Sequence, residues 1–210
     1  VTTILHQSDA QTWPDDVVQI LDDHHLVVCA NDAAAADRFA QTLARRLKQL
    51  AETQVIEING SSATDITSFC RQIEKQMLPR HRRSQLPQSG AWWRDIASVI
   101  SLLRDEAGLG GWPKHRYFIW NHADVLLKRD ESLFGHLVNA LLGVAAEQEH
   151  IARDSLVLQR TAFIGSAALS AYAENPEGAL RRWLDEQGSP FWEVASVLDG
   201  PPVLTYRLEG

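Results

Sequence analysis

Several places along the chain carry side chains whose types and spacing could do chemistry. In Asn121-His122-Ala123-Asp124 an imidazole stands two residues from a carboxylate. Those are the parts of a general base and the acid that orients it. The apolar run before them, residues 117–120, reads as a strand, so the pair falls at a strand's C-terminal end, where open α/β sheets carry their sites. No nucleophile or second catalytic motif accompanies His122 and Asp124. His24-His25 has the side chains of a metal site, but no Cys, Asp or Glu cluster stands at zinc-like spacing, so the pair reads as a solvent-facing turn and no metal is expected.

Cations and aromatics form the other candidates. Arg80, His81, Arg82 and Arg83 follow one another in a loop without an intervening acid, a composition that suits phosphates or an acidic partner. Arg181 and Arg182 have Asp185 and Glu186 within helical reach as ion-pair partners. Among the seven tryptophans, Trp92 and Trp93 are adjacent on one helix and point about 100° apart. Only one of them readily shares the apolar face of Ile96 and Ile100, so at least one indole is expected on the surface, where Trp commonly anchors interfaces.

The elements that must position these residues alternate between strand and helix. Residues 26–30 form a strand-type apolar run, and a helix with Phe39, Leu43, Leu47 and Leu50 on one stripe follows. The β-branched Val55-Ile56-Glu57-Ile58-Asn59 reads as a second strand. Ser62 and Asp65 resemble a capping box opening a helix through Ile66, Phe69, Ile73 and Met77. A helix is expected over 91–107, a strand over 117–120, a helix over 131–148 and strands over 161–165 and 203–208. Asn175-Pro176 and Ser189-Pro190 each look like a cap with a first-turn proline. Residues 1–25 read as a polar lead-in with one short helix, and 26–210 as a single α/β core.

Net charge of −7 gives the whole chain no pull toward nucleic acid or anionic lipid. Two cysteines, Cys29 and Cys70, make no disulfide framework and suit a reducing cytosol. No apolar run reaches membrane-spanning length and residues 1–13 do not form a signal peptide; the location expected is cytoplasmic, and the initial Val suggests a trimmed fragment.

The strand, turn and helix over 26–40 stand where a nucleotide-binding α/β protein keeps its phosphate loop. That loop requires G-x-x-x-x-G-K-S/T. Aligned without gaps, Ala30 and Ala35 stand for the glycines, Ala36 for the lysine and Asp37 for the hydroxyl residue. Asn31 or Asp32 suits an N-cap, and the alanines favour helix over a glycine-type cradle. The order of elements resembles the core of the AAA+ branch of P-loop NTPases. In that family the third strand ends in the Walker B Asp-Glu pair, often followed by Ala-Asp; here Asn121 and His122 precede Ala123-Asp124. The fourth strand looks like the sensor 1 strand, with Gly165-Ser166 where a polar sensor residue is expected. Arg181 and Arg182 lie where a clamp-loader-type subunit presents an arginine finger. The family's helical lid is not in this chain.

The resemblance implies a three-layer α/β sandwich whose five-stranded, mainly parallel sheet has order 5-1-4-3-2. It also implies a catalytically inactive AAA+-like module, a structural or regulatory subunit that binds a protein partner and needs no cofactor. Ala30, Ala35, Ala36, Asp37 and Asn121 then mark a remnant nucleotide site, and Arg80, Arg82, Arg83, Trp92, Trp93, Arg181 and Arg182 the interaction candidates. The alternative is a diverged ATPase or hydrolase around His122 and Asp124. A nucleic-acid-associated subunit using the 80–83 loop ranks behind both, because the domain is acidic.

Overall fold

The computed structural model describes residues 2–6, 13–77, 95–104, 115–151, 158–174 and 203–209. In chain order the elements are β1 (Thr2–His6), α1 (Trp13–Asp23), β2 (His25–Ala30), α2 (Ala33–Leu47), β3 (Thr53–Asn59) and α3 (Ile66–Met77). They continue as α4 (Ile96–Arg104), β4 (His115–Asn121), α5 (Ala123–Arg129), α6 (Glu131–Ile151), β5 (Leu158–Gly165), α7 (Ala167–Glu174) and β6 (Val203–Glu209).

The strands form one sheet in the order β1-β6-β2-β5-β4-β3, every pair parallel. The strands at 26–30, 55–59, 117–120 and 161–165 therefore stand in the expected 1-4-3-2 order. The count of five does not hold, since six strands form the sheet. The unanticipated one is β1, which pairs with β6 from Thr2↔Thr205 to His6↔Glu209. Its five residues sit in a polar neighbourhood, and only the exposed edge of β6 turns so short a segment into a strand.

Both sheet faces are covered, so the central strands need apolar residues at every position rather than at alternate ones. All six residues of β2 are buried. Leu26, Val28 and Ala30 face α1 and α2, together with Tyr117, Ile119, Ala162 and Ile164. Val27, Cys29, Phe118, Trp120 and Phe163 face α3, α4, α5, α6 and α7. Trp120 is fully buried on this second face. Its ring centroid lies 5.0 Å from that of Phe69, 5.2 Å from Phe134 and 6.0 Å from Phe163. The two cysteines are buried and form no disulfide, and burial, with the charge of Glu74 adding to it, pushes the Cys70 thiol up to about 12. Among the described residues no helix is long and apolar enough to cross a membrane.

Several helix starts are set by side chains that satisfy first-turn amides. Asp65 caps α3, its Oδ1 accepting from the Ser68 amide at 2.7 Å while Ser68 Oγ accepts from the Asp65 amide at 3.1 Å. The capping box is thus Asp65 with Ser68, not Ser62 with Asp65; Ser62 instead hydrogen-bonds the Asn59 carbonyl. Asp95 caps α4 through the Ser98 amide, and Asp130 caps α6 through the Leu133 amide, both at 2.9 Å.

The His24-His25 pair is not a solvent-facing turn. His25 opens β2 and is 1 % exposed, with Nδ1 accepting the Thr161 amide at 3.1 Å. Desolvation lowers its pKa to about 3, the charges of Arg160 and His24 adding to the effect. The strand begins one residue earlier than the apolar run because His25 pairs with Val203 of β6.

Candidate functional site

The candidate site lies at the C-terminal ends of β2, β4 and β5, where all three strands hand the chain to a helix. Between β2 and α2 there are only two residues, Asn31 and Asp32. Asp32 has extended backbone angles, and its Oδ1 accepts the Ala35 amide at 2.7 Å. The Ala36 amide donates to the Asp32 carbonyl at 3.2 Å. Ala30 ends the strand, and Ala35 and Ala36 are already helical and buried. The turn is therefore a capped helix start rather than an open loop, and a carboxylate sits where a helix N-terminus attracts anions.

Asp37, one turn into α2, reaches across to β4. Asn121 Nδ2 donates to its Oδ1 at 2.6 Å, and His122 Nε2 lies 2.9 Å from the same oxygen. Asn121 Oδ1 accepts the His122 amide at 3.0 Å. The His122 side chain is 21 % exposed and that of Asp37 46 %. His122 occupies the left-handed region at φ 53°, ψ 37°. Such a backbone costs a β-carbon-bearing residue about 1–2 kcal/mol. Close packing holds it there: the Gly60 amide donates to the Asn121 carbonyl at 2.7 Å, and a β-carbon on Gly60 would fall 2.0 Å from the His122 carbonyl oxygen.

A second group sits beside the first. Asp124 Oδ2 accepts from Ser166 Oγ at 2.6 Å and from Lys128 Nζ at 2.7 Å, and Lys128 Nζ also lies 3.1 Å from Ser166 Oγ. Burial raises the Asp124 pKa, but the hydrogen bonds from Lys128 and Ser166 and the lysine charge outweigh it, and the carboxyl ends below the usual range. Gly165 makes room for this arrangement, because a β-carbon there would stand 2.4 Å from Asp124 Oδ1.

The structure thus brings Asp37, Asn121 and His122 together, and joins Asp124 to Lys128 and Ser166. It does not pair His122 with Asp124; the imidazole's carboxylate partner is Asp37, 85 positions away in sequence. Lys128 was not singled out from sequence, although its four-residue spacing from Asp124 on a helix is a signal for such a pair. Arg80, Arg82, Arg83, Trp92, Trp93, Arg181 and Arg182 lie outside the described residues.

No family model matches the chain, and no curated protein matches its sequence. Among solved structures its fold is similar to that of the Aeropyrum pernix ORC2 protein, solved in ADPNP–ADP complexes, with a TM-score of 0.50 and 11 % identity. The match covers 96 % of this chain and 46 % of that one, so the chain spans about half the length of the protein it resembles. The likeness is one of fold, an α/β architecture with a parallel sheet.

Proposed function

We propose that this chain is an AAA+-like module that does not hydrolyse nucleotide and that acts, in a structural or regulatory role, by binding a protein partner. The observation that carries the reading is the state of the β2–α2 turn. Asp32 already occupies the helix N-terminus, and Asp37 ties itself to Asn121 and His122. An incoming triphosphate would meet two carboxylates where it needs glycine amides and a lysine. Asn121 is a poor replacement for a charged ligand of Mg²⁺, and Asp124 commits its Oδ2 to Lys128 and Ser166. The reading calls for no cofactor and for a cytoplasmic setting.

The partner surface belongs to Trp92 and Trp93, the basic loop with Arg80, Arg82 and Arg83, and the Arg181-Arg182 pair. A basic loop steers an acidic partner while an aromatic side chain anchors it. Replacing whichever of Trp92 and Trp93 anchors the partner with Ala weakens that contact by about 2 kcal/mol or more, the hot-spot scale. Nucleic acid remains a lesser partner class for the same loop, given the acidic domain.

The test is thermal unfolding with ATP or ADP, with and without Mg²⁺, beside a steady-state ATPase assay. A ligand that binds the folded form raises its stability by linkage. The expected results are unchanged melting and no turnover. Nucleotide-dependent stabilisation together with turnover that vanishes in Asn121→Ala would overturn the proposal.

One observation favours a second reading, a diverged hydrolase centred on His122. If Nε2–H is donated to Asp37, Nδ1 keeps its lone pair, and the strained backbone aims the ring at the strand ends. Hydrolytic activity abolished by His122→Ala and sharply reduced by Asp37→Ala, without nucleotide specificity, would favour this reading.

A further inference from the structure

β3 ends the sheet, with β4 on one side and no strand on the other among the described residues. Alternate residues of such a strand point an N–H and a C=O outward, a template for pairing with another chain. Two of these outward positions, Glu57 and Asn59, are filled by glutamine side chains from α3. Gln76 Oε1 accepts the Glu57 amide at 2.9 Å, and Gln76 Nε2 donates to the Glu57 carbonyl at 2.7 Å. Gln72 Oε1 accepts the Asn59 amide at 2.8 Å, and Gln72 Nε2 donates to the Asn59 carbonyl at 3.2 Å. The Gln76 amide thus gives Glu57 both the donor and the acceptor that a neighbouring strand would supply, while the Gln72 amide gives Asn59 the acceptor and adds a donor to a carbonyl that the Ser62 and Ala63 amides already bond.

The spacing explains why two glutamines can do this. Side chains four apart on a helix stand about 5–6 Å from each other. Residues two apart on a strand repeat at about 6.6 Å. Gln72 and Gln76 therefore match the period of Glu57 and Asn59. Neighbouring contacts hold the amides in place: Gln72 Nε2 also donates to Ser62 Oγ at 3.1 Å, and Gln76 Nε2 to the Gln72 carbonyl at 3.0 Å. Of the usual guards of a sheet edge, only an exposed charge pair, Glu57 with Lys48, is present at β3, and the strand contains no proline.

We infer that Gln72 and Gln76 stand in for a further strand and close the β3 edge against pairing with the same edge of a second copy of this chain. The second copy is the occupant because it brings the same β-branched strand, Val55 to Asn59, with matching outward groups at Glu57 and Asn59. Phe69, Cys70 and Ile73 carry the buried contacts of α3, so the glutamines can be changed without removing the core of the helix.

The test is sedimentation velocity over a concentration series with the full chain. Wild type is expected to sediment as a single species at all concentrations. Gln72→Ala/Gln76→Ala is expected to self-associate with rising concentration. Gln72→Asn/Gln76→Asn, which keeps the amides but shortens their reach, is expected to do the same, and stands in if the alanine variant does not fold. Adding Glu57→Pro, which deletes an outward N–H at the middle of the edge, should restore single-species behaviour. Folded double variants that sediment like wild type would overturn the inference. So would association that Glu57→Pro leaves intact, or a wild type that already associates until Glu57→Pro is introduced.

Discussion

The two ends of the parallel sheet use the same kinds of side chain in opposite ways. At the C-terminal ends, Asp37, His122 and Lys128 remain in contact with water while bonding across α2, β4, α5 and β5. At the N-terminal ends, His25, Arg116, Gln159, Arg160 and Thr161 are buried. Arg116 Nε donates to Gln54 Oε1 at 3.0 Å and its Nη1 to the Leu103 carbonyl at 3.3 Å. Gln159 Nε2 donates to the Leu141 carbonyl at 3.3 Å, and Arg160 Nη1 to the Gln159 carbonyl at 3.0 Å. Tyr117 bonds Asp22 beside them, and burial followed by that carboxylate raises the phenol pKa. Polar groups at this end serve packing and bond mostly inside the protein, although His25 Nε2, Gln159 Oε1 and Thr161 Oγ1 find no hydrogen-bond partner among the described residues. At the other end Asp37, His122 and Lys128 keep acid, base and cation within reach of solvent, as chemistry or recognition requires, while Asp124 is buried beside them. Residue type alone does not separate the two roles; water access does.

The predictions test this contrast, from the largest expected effect to the smallest. Trp120 is fully buried against Phe69, Phe134 and Phe163, so Trp120→Ala should cost about 3–5 kcal/mol, as deletion of a core aromatic does. Chemical denaturation would measure it, and a loss below about 1 kcal/mol would mean that the ring cluster does not hold the end of β4.

The buried end should dominate the acid response. With its folded pKa lowered to about 3, His25 binds a proton more readily in the unfolded chain. Its contribution is complete above about pH 6.5 and is lost as pH falls toward about 3, at a slope approaching 1.4 kcal/mol per pH unit. Denaturant midpoints taken down to about pH 4.5 should show a fall of roughly 2–3 kcal/mol. His25→Asn, which keeps an acceptor for the Thr161 amide, should flatten that limb; an unchanged slope would place the proton elsewhere.

At the open end, Asp124→Asn should destabilise by about 1–3 kcal/mol at neutral pH, the cost of breaking a charge-assisted hydrogen-bonded group. Because the Asp124 pKa is lowered, its stabilisation is present above the ordinary carboxylate range and is lost below about pH 4. The variant and wild type should therefore converge in acid. Gly165→Ala, which drives a β-carbon toward the same carboxylate, should reproduce the loss without removing a charge.

The smallest effect belongs to Asp37. Its side chain is 46 % exposed, and Asp37→Ala should change stability by about 1 kcal/mol or less, the scale of solvent-exposed pairs. It should also confer no ATP-dependent rise in melting temperature, because the lysine and glycines of a phosphate loop are still missing. A rise would show that Asp37 alone bars the nucleotide.

Some of this was legible in residue order. The strands at 26–30, 55–59, 117–120 and 161–165 announce themselves by apolar and β-branched runs, whereas their order along the sheet came from the resemblance, right-handed connections only making it feasible. The stripe of Phe39, Leu43 and Leu47 marks the buried face of α2, and these three residues are buried. Asp32 was readable as a cap because a cap is a local contact, settled between residues three apart.

What the chain order could not reveal depends on partners far away in sequence. β1 becomes a strand only because β6 gives it a parallel neighbour. His25 is buried because Thr161 supplies a donor, and Gln72 and Gln76 acquire a role only against the edge of β3. The carboxylate beside His122 is Asp37 rather than nearby Asp124, since helix α5 carries Asp124 off toward Lys128 and Ser166. Local propensity and apolar period determined the elements. Which side chains meet at the strand ends was decided by the tertiary fold, because a hydrogen bond depends on distance in space, and the sheet brings together residues that the chain keeps apart.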